Sequence, residues 1–357
     1  MLRNWRLWLG LLISLLFIAL AIRGQDLGQV RNALRAADYR YLPLALVLYF
    51  AGVLLRTLRW RYLLAPVRPV RARNLFSVVV IGYMANNILP WRIGEVVRSY
   101  VLREREGIPT SASLATIAVE RIFDGLTMLA FLLLASLVIP LDAEIKRLAI
   151  VAAIVFALAT AALIAIVASD QLRGRILALI TRPLPAALAA RLTALVESFV
   201  AGLHILRSFK DLLLVASCSV FAWGLESSMY FVIARGFVVP ASASSGPQSL
   251  DGVLGIAGTL MTTAVANLAT LIPSTPGYIG VFESGVVLVV TGLLGVQREL
   301  ALSYAIVVHA ALYFPITLWG VYYWARAHLS LAAVRAVEPA DGRAGERPAG
   351  RTGDIAG

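Results

Sequence analysis

Continuous apolar runs of about 16 to 25 residues recur along this chain, the length an α-helix needs to cross the ~30 Å hydrocarbon core of a bilayer. With 60% hydrophobic and 15% charged residues and a mean hydropathy of +0.82, the 357 residues carry too much apolar surface for a soluble domain with an ordinary polar coat. A transmembrane barrel would show segments of about ten residues with alternating polarity instead. The pattern therefore predicts an all-α, polytopic helical membrane protein.

Charge is consistent with that class. The net charge of +12 and pI near 10.3 come mainly from arginines in short loops between apolar runs, which fixes orientation and favours anionic headgroups. No basic stripe with interleaved aromatics occurs in a polar domain, so a nucleic-acid partner is not expected. Cys218 is the only cysteine, so neither an intramolecular disulfide nor a cysteine metal cluster can form, and no metal or cofactor is expected. Arg3 and Arg6 precede an apolar run at about 7 to 22 that ends in Ala19-Leu20-Ala21, a signal-peptidase-like sequence. The topology below needs that run as its first helix, so it is read as a retained anchor.

Six segments read as full spans, at about 7 to 22, 41 to 55, 114 to 140, 148 to 168, 212 to 235 and 302 to 325. Two more, at about 75 to 111 and 253 to 296, contain Pro/Gly breaks and read as re-entrant helical hairpins. The order span, span, hairpin, span then occurs twice, with repeat one at about 1 to 140 and repeat two at about 147 to 330. If each segment of the second hairpin spans fully, there are about eight crossings with the same ends. An N-terminus held in the cytoplasm makes the halves inverted, with both termini cytoplasmic. The inner loop 56 to 74 carries six arginines and no acid, the inner loop 169 to 211 carries six Lys/Arg, and the flexible outer loop 236 to 252 carries none. Loop 23 to 40, placed outside, holds four arginines and runs against the rule. The tail, 331 to 357, has the composition of a disordered segment and is expected in the cytoplasm.

Inside apolar segments each ionisable residue is costly and becomes a functional candidate. Asn86 and Asn87 precede the Pro90 break, and Arg92, Gly94, Glu95 and Arg98 follow it. A half-helix starting near Gly94 would put Glu95 and Arg98 on one face, able to pair, and offer free N–H groups to a phosphate. Glu120, Arg121 and Asp124 form a second group, with the carboxylates one turn apart and a negative remainder free for Arg92, Arg98 or a substrate amine. The third group is Thr275, Pro276, Gly277, Gly280 and Glu283. Thr275 as N-cap and Pro276 at the first helical position would place Glu283 about two turns inside a half-helix. Glu226 and His309 are secondary candidates, isolated in apolar spans and read as hydrogen-bonded structural residues or proton-relay members. Trp5, Trp8, Trp60, Trp319 and Trp324 lie near span ends and read as interfacial anchors.

At these motifs the chain resembles the lysylphosphatidylglycerol synthase transmembrane, or flippase-like, family. The matching residues are Asn87, Leu89-Pro90, Arg92, Gly94-Glu95 and Arg98, then Glu120-Arg121-Ile122-Phe123-Asp124-Gly125, then Pro276-Gly277-Tyr278-Ile279-Gly280-Val281-Phe282-Glu283. The resemblance is to the membrane part, without the soluble aminoacyl-transfer domain. It implies a non-enzymatic lipid flippase or scramblase of the cytoplasmic membrane. The substrate would be an anionic or aminoacylated phospholipid or a polyprenyl-linked lipid, passing through a polar groove between the hairpins. The alternatives are a phosphatase or glycosyltransferase acting on polyprenyl phosphates, or a non-transporting partner of a lipid-modifying enzyme.

Overall fold

Helices of 17 residues or more account for most of the described residues. The computed structural model describes residues 26–89, 93–140, 169–183, 185–202, 208–240, 246–271 and 276–326, with scattered positions between 147 and 168. Within them run eleven α-helices: α1 (Leu27–Ala36), α2 (Leu42–Leu64), α3 (Ala72–Ile88), α4 (Gly94–Glu106), α5 (Thr110–Ala135), α6 (Asp170–Thr181), α7 (Ala186–Gly202), α8 (Phe209–Ala234), α9 (Leu250–Ala269), α10 (Val281–Val290) and α11 (Arg298–Arg326). Four stretches are long and apolar enough to cross a membrane: Tyr39–Leu64, Phe209–Ala234, Leu250–Ala269 and Arg298–Arg326. The expected spans 7 to 22 and 148 to 168 and the tail lie wholly or mainly outside the described residues.

Local chemistry sets the helix ends. Asp26 caps α1, and the Gln29 and Gly28 N–H groups that it accepts hold its carboxyl below the usual range. Pro43 opens α2, Gly107 ends α4 in the left-handed conformation (φ +67°), and Ser208 caps α8. Pro315 lies within α11, and Gly255 (φ +54°) interrupts α9.

Helices α3 and α4 form an antiparallel pair. Asn74, near the start of α3, donates to Glu106 at the end of α4 (2.8 Å), while Gly82 and Gly94 bring the two backbones together. Helices α9 and α10 form a second antiparallel pair, with Gly285 against Ala266 and Gly258 against Leu294. The first pair opens beside the C-terminal end of α2 and the N-terminal end of α8, where Tyr62 donates to Asp211. The second opens at the other end of the bundle, where Leu250 meets Phe237 and Arg235 pairs with Asp251 (2.9 Å). Gly277, between α9 and α10, packs on Tyr313 and on the Asn87 carbonyl, so the inner ends of the two pairs meet inside the molecule. The most extensive packing is between α2 and α8 and between α3 and α11.

Four expectations change. Loop 56 to 74 is short because α2 continues through Leu64, and Arg56, Arg59 and Arg61 are helical. The cause is an inward stripe, Val53, Arg56, Thr57, Trp60, Leu63 and Leu64, that continues the helical period past the apolar run. The 169 to 211 segment contains α6 and α7, and α7 packs on α5. Segment 23 to 40 holds α1, which packs on α11 with Ser303 donating to the Val30 carbonyl (3.2 Å). In the expected loop 236 to 252, Val238–Val239 pairs antiparallel with Gln248–Ser249.

The polarity is that of a protein in lipid. Val47, Leu134, Phe221, Leu288 and Leu318 face outward, while Arg59, Arg98, Glu120 and Asp124 are buried.

Candidate functional site

The buried stripes of α2, α5 and α8 carry charge where a soluble bundle would carry leucine. Arg59 of α2 donates through Nη1 to Asp124 Oδ1 (2.7 Å) and Ser219 Oγ (2.5 Å), and its Nη2 reaches Glu120 Oε1 (3.3 Å). Arg98 of α4 donates to the other Glu120 oxygen (3.0 Å), lays its guanidinium 4.0 Å over Trp60 and runs its stem past Gly82. Arg121 contacts Asp124 Oδ2 (3.2 Å), and Trp223 Nε1–H donates to Asp124 Oδ1 (3.0 Å). Beside this network Arg56 donates to Glu226 (2.7 Å) and stacks 4.4 Å over Trp223. Such pairs keep interior charges from being stranded, and each helix is thereby pinned to at least one other.

The network forms one wall of a half-open cavity of about 130 Å³. That volume is on the order of four water molecules by their share of liquid volume. Arg56, Arg121, Asp124, Trp223 and Glu226 line it from α2, α5 and α8. Tyr83, Asn86 and Asn87 come from α3, Asn267 from α9, Tyr278 from the turn before α10, and His309 and Tyr313 from α11. Both helix pairs thus contribute their inner ends to it.

At the second pair, Glu283 holds the turn in place. Pro276–Tyr278 is a 3₁₀ turn in which Gly277 (φ +76°) and Tyr278 (φ +59°) are left-handed, and Gly280 follows at φ +89°. One Glu283 oxygen accepts the Gly280 N–H (2.7 Å), and the other lies 2.5 Å from His309 Nδ1. The ring of His309 also packs on Phe282, 4.7 Å between centroids. At the first pair, Asn86 Oδ1 accepts the Gly94 N–H (2.7 Å), and Asn87 Nδ2 donates to Thr317 Oγ1 (2.8 Å).

The sequence-derived candidates fall into five sets. Asn86, Asn87, Arg121 and Asp124 line the cavity, as do the secondary candidates Glu226 and His309. Arg98 and Glu120 are buried behind its wall, Gly94, Gly277 and Gly280 shape the helix-pair ends, and Pro276 opens the 3₁₀ turn. Glu95 is part-exposed and is not among the lining residues. Pro90, Arg92 and Thr275 lie outside the described residues.

Several expectations are corrected. Of the two partners expected for Arg98, the acidic group on α5 is the one it meets: it pairs with Glu120 rather than Glu95, because its side chain crosses Gly82 toward α5. Helix α10 starts at Val281, so Glu283 sits in its first turn and caps it, since three positive-φ residues cannot continue a helix back to Thr275. Glu226 and His309 are not isolated: Arg56 and Glu283 are their partners. Trp60 is fully buried, its Nε1–H donating to Thr116 (3.0 Å), and is no interfacial anchor. Arg56, Arg59, Tyr83, Trp223 and Asn267 were not among the candidates. Helical spacing could have found one of them, since Arg56 falls on the stripe that starts at Val53 and runs on through Trp60.

Residues 7–320 match the family described as the lysylphosphatidylglycerol synthase TM region. Among curated proteins, the chain is 25% identical over 329 residues to a glycosyltransferase, AglD, of Haloferax volcanii, a match covering 84% of this chain and 51% of that protein. The chain therefore spans about half the length of that relative. It is also 27% identical over 323 residues to a UPF0104 membrane protein of Methanothermobacter thermautotrophicus, covering 86% of this chain and 90% of the relative. A second UPF0104 membrane protein of the same organism is 26% identical over 309 residues. This is a multi-pass membrane protein, and with a match over nearly all of its apolar part the chain belongs to the lysylphosphatidylglycerol synthase TM region family.

Proposed function

We propose that this protein moves a lipid headgroup between membrane leaflets, without covalent chemistry, through the cavity where the two helix pairs meet. The observation that carries this reading is the cavity itself: it is lined by paired charges, amides and phenols inside a bundle with a leucine-rich exterior. A headgroup can shed water onto such a surface while its tails stay in lipid. The partner is thus a membrane lipid, an anionic or aminoacylated phospholipid or a polyprenyl-linked lipid.

The helix pairs are read as re-entrant hairpins of an inverted repeat, one opening to the cytoplasm and the other to the outside. Rocking of one half against the other would expose the cavity to each leaflet in turn. Broken helices at this depth are tolerated because they line a polar space instead of facing lipid.

The test is leaflet exchange of fluorescent phospholipids in liposomes holding purified protein, read with a membrane-impermeant quencher. Wild-type protein should accelerate exchange. Glu226→Gln and Glu283→Gln should each slow it at least about tenfold, the loss expected for removing one charge-assisted contact. Equal rates for wild type and both variants would overturn transport through this cavity.

A second reading follows from the similarity to the Haloferax volcanii glycosyltransferase over 84% of the chain. On that reading the protein handles, or itself modifies, a lipid-linked sugar. Transfer of labelled sugar to membrane lipid that depends on this chain, without any leaflet exchange, would favour it.

A further inference from the structure

The charges around the cavity do not balance in its ion pairs. Four arginines, Arg56, Arg59, Arg98 and Arg121, share three carboxylates, Glu120, Asp124 and Glu226. Arg56 has Glu226 to itself at 2.7 Å, whereas Arg59 and Arg98 divide Glu120. Asp124 is held by Arg59 at 2.7 Å and by the Trp223 N–H at 3.0 Å, leaving Arg121 its longest ion contact, at 3.2 Å. Arg121 is also the most open of the four: its side chain is 36% exposed, against 7% or less for the others. Its Nε is buried without a hydrogen-bond partner among the described residues. Glu95 acts on Arg121 only through space and does not line the cavity.

No carboxylate that lines the cavity is similarly open. Glu226 and Asp124 are occupied as described, and Glu283 is divided between His309 and the Gly280 N–H. The neutral groups suit hydroxyls. The Asn86 carbonyl oxygen is taken by Gly94, leaving its NH₂ toward the cavity, and the Asn267 NH₂ is taken by Thr263, leaving its carbonyl oxygen. The Tyr83 hydroxyl has no hydrogen-bond partner among the described residues.

We propose that the cavity docks an anionic, phosphate-bearing, hydroxyl-rich headgroup on Arg121 and rejects the same headgroup once it carries amino-acid cations. This rests on the transport reading above and names its substrate class. A phosphate offers Arg121 two oxygens that its planar guanidinium can bond together, and displaces nothing that Asp124 needs. An aminoacyl group adds positive charge beside Arg56 and Arg121 where both lining carboxylates, Asp124 and Glu226, are already engaged.

The experiment has two arms with one set of proteins: wild type, Arg121→Gln, Arg121→Lys, and Arg103→Gln as an exposed control away from the cavity. In liposomes, exchange of labelled phosphatidylglycerol is compared with lysyl-phosphatidylglycerol, which keeps the phosphate and adds two amines. In detergent, thermal unfolding is followed with glycerol-1-phosphate, inorganic phosphate or lysine methyl ester. Wild type should exchange phosphatidylglycerol at least about tenfold faster than the lysyl form. Arg121→Gln should lose that advantage, Arg121→Lys should keep part of it, and Arg103→Gln should match wild type. Glycerol-1-phosphate should stabilise wild type more than inorganic phosphate does, since only the ester offers hydroxyls, and should not stabilise Arg121→Gln. Equal exchange of the two lipids, or unchanged exchange in Arg121→Gln, overturns the proposal. Arg121-dependent stabilisation by glycerol-1-phosphate without lipid exchange supports the docking site and overturns the transport reading. Stabilisation by the lysine ester alone overturns the docking site.

Discussion

At the scale of single residues, Glu120 is the joint of the interior network. Both its oxygens are engaged, one by Arg59 and one by Arg98, and all three side chains are buried. Glu120→Ala strands the buried Arg98 guanidinium and leaves Arg59 only Asp124 and Ser219, which costs about 3–5 kcal/mol when a buried ion pair loses one partner. Thermal unfolding of the purified protein should show a large fall in midpoint, and adding Arg98→Met should recover part of it by removing one stranded charge. An unchanged midpoint would mean that Glu120 is not holding the helices. This part of the site was half legible. Glu120, Arg121 and Asp124 stand out as charges inside an apolar run, and Asn86 and Asn87 beside a proline break. Arg56 and Arg59 did not, because an arginine just past an apolar stretch reads as loop until the helical stripe through Trp60 and Leu64 is followed. The partners of Glu226 and His309 come from other helices, and no spacing within one segment encodes them.

At the scale of elements, the two helix pairs depend on glycine for different reasons. Gly94 is a matter of space: a Cβ there would collide with the Gly82 carbonyl and the Asn86 side chain, the contacts that close α3 on α4. Gly94→Ala should cost about 1–3 kcal/mol, as overpacking does, and would also disturb the Asn86 cap. Gly280 is a matter of backbone: at φ +89° an alanine is strained by about 1–3 kcal/mol whatever the room around it. Unfolding midpoints for both variants check these costs, and values within error of wild type would refute the packing described. Gly280→Ala should also slow leaflet exchange more than Gly94→Ala, since Gly280 sits in the turn that Glu283 ties to His309. The breaks themselves were plain in the sequence, since proline and glycine inside apolar runs have few other readings. The start of α10 was not, because Thr275-Pro276 has the chemistry of a helix start, whereas Gly277 and Tyr278 are left-handed and Gly277 packs against Tyr313 and Asn87 on other helices.

At the scale of the whole molecule, the placement of charge at the bundle ends bears on orientation. The end where α2 finishes and the α3/α4 pair opens carries Arg61, Arg68, Arg71, Arg73, Arg103, Arg105 and Lys210, against Glu104, Glu106 and Asp211. The opposite end, where the α9/α10 pair opens, mixes Arg31, Arg35, Arg40 and Arg235 with Asp26, Asp38 and Asp251. Positive charge in short loops is retained in the cytoplasm, so the first end should face inward even though α2 takes three of the six arginines once assigned to loop 56 to 74. Two exposed positions report on the two ends: Arg71, between α2 and α3, and Gln248, just before α9. In a background with Cys218→Ala, Arg71→Cys in intact cells should resist a membrane-impermeant thiol reagent until the membrane is opened, and Gln248→Cys should react at once. Immediate reaction at both positions would place the two ends on one side, and the cavity could not then be approached from both leaflets. The reverse pattern would keep the opposed hairpins but invert the molecule, leaving the basic end outside against the charge rule. Only protection of Arg71→Cys together with exposure of Gln248→Cys fits two hairpins that enter from opposite faces and meet at Asn87 and Gly277.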